Sequence, residues 1–119
     1  MLRFCFEQDW SGLSAPDSIF ERKTMITILL YTIGENVTRE QIMSVFPRHK
    51  AWVDQFVDEQ KIMGIGTFAD PLKDGAMGLF PNMELAEEFV ARDPFVKEGI
   101  VTKVKLKEWA GQFFTSIVR

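Results

Sequence analysis

A chain of 119 residues with 46% apolar content has room for one folded domain and no second core. Its 17 acidic residues against 14 basic leave a net charge of −3, which argues against a nucleic-acid or anionic-membrane partner. The single cysteine, Cys5, excludes an internal disulfide and any multi-cysteine metal site, and it fits a cytoplasmic location.

Residues 1–24 stand apart as an N-terminal extension. Leu2, Phe4 and Phe6 alternate briefly, then Ser11, Gly12, Ser14 and Pro16 break the pattern. Glu7 and Asp9 end the apolar start before a secretory core develops. The segment reads either as an extension upstream of a native start at Met25 or as an arm that packs on the body or on a partner. Residues 25–33 are apolar on both alternating sets, Ile26, Ile28 and Leu30 on one and Leu29, Tyr31 and Ile33 on the other. This predicts a strand in the middle of a sheet covered on both faces. It is far shorter than the roughly 20 residues of a membrane span.

Thr38 with Gln41 is a capping-box pair and predicts a short helix to about residue 46. Pro47 then opens a second helix over 47–61, with His49, Trp52, Val53, Phe56 and Gln60 on one face at helical spacing. Residues 62–68 predict a strand whose Gly64 and Gly66 permit close backbone approach. Residues 69–75, with Asp70-Pro71 and Asp74-Gly75, form a loop. A short strand over 76–80 stops at Pro81. Asn82 caps the next helix, Glu84, Glu87 and Glu88 lie at its favourable dipole end, and Leu85 and Phe89 make its inner face. Asp93-Pro94 ends that helix and starts a single turn closing at Gly99. Residues 100–109 predict an edge strand, with Val104 and Leu106 on one side and Lys103, Lys105 and Lys107 on the other. Residues 110–119 are a mixed apolar tail without an assignment.

The order strand, helix, strand, strand, helix, strand predicts an α+β, ferredoxin-like βαββαβ fold with a four-stranded antiparallel sheet. The first and third strands are then central and the two helices cover one face. The other apolar face needs a second cover, and a homodimer packing sheet against sheet supplies it.

His49 is the only histidine. An imidazole titrates at about 6.5, so a histidine facing a carboxylate is the smallest apparatus for moving a proton near neutral pH. The plain alternative is a helix-end histidine bonded to a backbone carbonyl. Asp93 also serves as an N-cap before Pro94, worth about 1 kcal/mol without any catalysis, and its second oxygen is then free for His49. Asp70 before Pro71 reads as a turn residue. Trp52, Phe56, Phe89 and Phe95 read as core. One histidine and scattered carboxylates make no transition-metal set. Gly64-Ile65-Gly66 lacks the third glycine and following helix of a dinucleotide cradle, and no cofactor is expected.

Four segments in this order resemble the YCII-like (YCII-related) family within the dimeric α-β barrels. They are His49 near the start of the main helix, Gly66-Thr67-Phe68-Ala69-Asp70 ending the second strand, Asp93-Pro94-Phe95 with Gly99, and the terminal strand ending in Trp109. The resemblance spans residues 25–109. It implies that His49 and Asp93 share a pocket as a catalytic pair. It also implies Asp70 as a second carboxylate at the mouth, with Trp52, Phe68 and Phe95 beside the substrate. Relatives of the fold include muconolactone isomerase-like and dehydrochlorinase-like enzymes acting on small ring or dienoic acids. Thr67-Phe68 departs from the more usual Pro-Phe, and the third strand is short. The function expected is a cofactor-independent enzyme of lyase or isomerase type, moving a proton on a small organic acid or lactone. The alternative is a non-catalytic small-molecule-binding or dimerisation module.

Overall fold

The computed structural model describes residues 24–113. The extension over residues 1–23, with Cys5, and the tail over 114–119 lie outside the described residues. Eight elements follow in order: β1 (Thr24–Ile33), α1 (Arg39–Asp58), β2 (Gly64–Thr67), α2 (Pro71–Asp74), β3 (Ala76–Phe80), α3 (Met83–Arg92), α4 (Pro94–Lys97) and β4 (Val101–Gly111). The sheet order is β2-β3-β1-β4, so β1 and β3 are central as the topology requires. β3 runs antiparallel to both neighbours, with Leu29 opposite Gly78, Tyr31 opposite Ala76, and Thr67 also opposite Ala76. Gly34, just past β1, donates its N–H to the carbonyl of Ile100, just before β4, which fixes the antiparallel sense of that pair.

The core lies between the sheet and the long helices. Leu29 and Tyr31 of β1 meet Phe56 of α1, Phe80 of β3, and Ala86 and Phe89 of α3. Phe56 and Phe89 pack edge to face with centroids 5.2 Å apart, a geometry that aromatic quadrupoles favour. The other side of the sheet carries Ile28 opposite Leu79 and Leu30 opposite Met77, all half-buried. In β4, Leu106 packs against the core while Val104 is exposed, so the two do not share one environment.

The long helix departs from the sequence reading at two places, each for a physical reason. The helix predicted to break at Pro47 is continuous from Arg39 to Asp58 with Pro47 inside it. Its Thr38–Gln41 capping box is formed as expected, but the apolar face continues through the proline. Val45 on one side and Phe56 on the other are both buried, and that packing offsets the missing ladder bond. At the far end, Gln60 does not join the helical face. It adopts φ +60°, with Gln60 N–H on the Val57 carbonyl and Lys61 N–H on the Phe56 carbonyl. This is a Schellman closure with glutamine where glycine is usual.

The loop expected over 69–75 contains the single turn α2. It ends at Gly75, where φ is +81° and a Cβ would lie 1.9 Å from the carbonyl oxygen of Tyr31. Gly75→Ala is therefore expected to destabilise the fold by at least about 2 kcal/mol, lowering Tm by roughly 8 °C or more. A thermal melt matching the parent would contradict this close approach.

Candidate active site

Asp93 closes α3 and opens α4, the double role its place before Pro94 predicts. As N-cap of α4 its Oδ1 accepts the N–H of Phe95 at 3.0 Å. The turn then closes through Gly99 N–H on Val96 and Ile100 N–H on Phe95. The carboxylate is fully buried, and a buried carboxylate requires partners for both oxygens. Oδ1 also lies 2.8 Å from Nδ1 of His49. Oδ2 accepts the hydroxyl of Tyr31 at 2.6 Å. Three elements, β1, α1 and α4, thus converge on one side chain.

An ionised carboxylate only accepts, so the hydrogen bond assigns a proton to Nδ1; in the neutral tautomer that this selects, Nε2 carries the lone pair. Nε2 has no hydrogen-bond partner among the described residues. The ring itself stacks on Phe95 with centroids 4.1 Å apart and planes 16° apart, and Phe89 meets it edge-on. Hydrogen bond and stacking together fix the ring's position and orientation.

His49 forms part of the wall of a cavity of about 410 Å³ between α1, α2 and the helix-facing side of the sheet, large enough to enclose a small organic molecule. Leu29, Ile33, Val53 and Phe95 contribute apolar wall. Met43, Phe46 and Leu72 line it too and remain exposed, so they mark the mouth. Among the described residues, no three histidine, cysteine, aspartate or glutamate side chains converge as a metal site requires.

Of the residues singled out from sequence, His49, Asp93 and Phe95 come together here. The other three do not. Asp70 is exposed at the start of α2, makes no side-chain cap and lies outside the cavity wall. Trp52 points into the helix layer, donating Nε1–H to the Phe89 carbonyl at 3.0 Å and carrying Arg92 over its ring. Phe68, past the end of β2, borders a different depression beside Lys103 and Val104. Sequence reasoning missed Tyr31 and the α1 residues at the mouth. The signal for Tyr31 was its hydroxyl, since a tyrosine on a buried strand face needs a polar partner.

Burial, followed by the charge of Asp93 and the hydrogen bond to it, raises the Tyr31 hydroxyl far above its ordinary pKa. A raised folded-state value means that the unfolded chain loses this proton first. The stability tied to Tyr31 is therefore complete below about pH 10 and declines as pH rises beyond it. Tyr31 is the only tyrosine, so phenolate absorbance reports it alone. The native protein is expected to show no phenolate at pH about 10, where the denatured chain is half-titrated. Coincident native and denatured titrations would rule out the buried bond.

The model of the YCII-related domain matches residues 25–110. The chain belongs to the YCII-related domain family. The compact unit Met25–Trp109 spans all but the last residue of that match. No curated protein matches in sequence. Among solved structures, 5-chloro-2-hydroxyhydroquinone dehydrochlorinase from Burkholderia phenoliruptrix, in complex with 2,5-dihydroxybenzoquinone, is 17% identical with a TM-score of 0.55, over 71% of this chain and 92% of its own. SnoaB, a cofactor-independent oxygenase from Streptomyces nogalater, is 13% identical with a TM-score of 0.44, over 76% of this chain and 94% of its own. At this identity the first likeness establishes the fold alone, a ferredoxin-like α+β fold with a four-stranded antiparallel sheet. Among the described residues of this YCII-related domain, no helix is long and apolar enough to cross a membrane.

Proposed function

We propose that this YCII-related domain is a cofactor-independent enzyme of lyase or isomerase type, acting on a small organic acid or lactone. The observation that carries the reading is the buried Asp93 bonded to Tyr31 and His49, two residues that line an apolar cavity. A structural histidine needs no cavity beside its ring. In the proposed step, Nε2 of His49 takes a proton from an activated C–H of the substrate. The electron pair of that bond stays on the substrate as an enolate, or expels a leaving group. Asp93 offsets the positive charge that develops on the imidazole. Return of the proton at another carbon gives an isomer, and loss of the leaving group gives an elimination product. A homodimer in the cytoplasm, joined through the half-buried face of Ile28, Leu30, Met77 and Leu79, completes the proposal.

The reading is tested with a panel of small carboxylic acids and lactones incubated in heavy water. Deuterium incorporation, rearrangement or elimination that requires the protein and His49 supports it. Ligands that bind and are recovered chemically unchanged, without deuterium, would sink it and identify a binding module instead.

A further inference from the structure

We propose that Arg39 is the anion-recognition residue of this cavity, and that its ligand is a mainly apolar anion whose charged group sits at the mouth while its body reaches His49. The inference rests on the site read above and adds its substrate class. The cavity wall holds two cations, Arg39 and Lys50, and no aspartate or glutamate. Lys50 is already answered by Asp54 at 2.8 Å. Arg39 has no ion pair or guanidinium hydrogen bond among the described residues. It also opens α1 directly after the Thr38 cap, where the helix dipole disfavours a cation and favours an anion. An exposed, unpaired guanidinium at the edge of an apolar cavity suits a carboxylate or another oxyanion in forked geometry.

The polarity of the cavity also sets the ligand's direction. Behind His49 stands the buried carboxylate of Asp93, which disfavours an anionic group brought to that end. Arg39 attracts it to the other. Between them lie aliphatic and aromatic walls, including Leu29, Ile42, Phe46 and Phe95, which reward an alkyl or ring body.

The test uses the full chain and two matched probes, 2-naphthoate and its neutral isostere 2-naphthamide. Binding is read from the ring signals of His49, the only histidine. Naphthoate is expected to shift those signals and to bind about tenfold tighter than the amide. Arg39→Gln is expected to remove that advantage, weakening naphthoate about tenfold and leaving the amide unchanged. Arg48→Gln, which removes a cation paired with Glu98 outside the cavity wall, should leave both affinities within about twofold. Equal binding of acid and amide, an unaltered naphthoate affinity in Arg39→Gln, or no response of His49 to either probe would each overturn the proposal. The readout is binding alone. Arg39-dependent binding without proton transfer on any compound leaves this inference standing and the catalytic reading fallen. His49-dependent proton transfer indifferent to Arg39 does the reverse.

Discussion

Replacing His49 with alanine is expected to lower proton transfer by at least about 100-fold while the fold persists. Among the described residues His49 is the one imidazole on the cavity wall, and no carboxylate lines the cavity to substitute for it. The stability cost is modest by comparison. His49 is partly exposed, and its removal lets water reach Asp93 Oδ1, which keeps its bond to the Phe95 N–H. The measurement is deuterium incorporation into a responsive acid or lactone, beside a thermal melt. Undiminished incorporation in a folded His49→Ala protein would remove His49 from the chemistry.

Asp93→Ala has the larger structural effect. It removes the cap of α4 and leaves the Tyr31 hydroxyl and His49 Nδ1–H without their acceptor. A lost cap costs about 1 kcal/mol, and a buried unsatisfied hydroxyl about 1–3 kcal/mol. A total near 3 kcal/mol lowers Tm by more than about 10 °C in a domain of this size. Asp93→Asn separates structure from chemistry. Its carbonyl oxygen in the Oδ1 position still accepts from Phe95 and His49, and its amide can donate to Tyr31. The variant should therefore keep most of the stability yet lose the charge that steadies the imidazolium, with a rate at least about tenfold lower. A melt of Asp93→Ala indistinguishable from the parent would deny the buried carboxylate its role.

The legible parts of this protein were those written in local rules. The capping box at Thr38, the Asp93-Pro94 turn and the doubly apolar β1 each follow from neighbours within a few residues, and together they place four strands and the main helices. His49 and Asp93 were legible because one is a lone imidazole on an inward helical face and the other a cap before proline, although the oxygen that the cap spares goes to Tyr31 and His49 shares Oδ1 with the Phe95 N–H. The direction in which a loop presents a side chain is not encoded so locally. Asp70, Trp52 and Phe68 were reasonable residue types at reasonable places, and they face elsewhere. Pro47 concealed the rest. With α1 divided there, Arg39, Ile42, Phe46, His49 and Val53 belong to two short helices. Read through the proline they form one stripe at intervals of three and four, and all five line the cavity.

That proline also gives the cavity wall a mechanical division. Having no N–H, Pro47 gives no ladder bond to the carbonyl of Met43, so the turn bearing Met43 and Phe46 and the turn bearing His49 are joined by one backbone bond fewer than an ordinary helix provides. Beyond that seam His49 is anchored independently, by Asp93 on one edge and Phe95 on one face. A ligand of awkward girth pressing outward on Met43 or Phe46 meets compliance in the entrance, while the proton acceptor keeps its bearing.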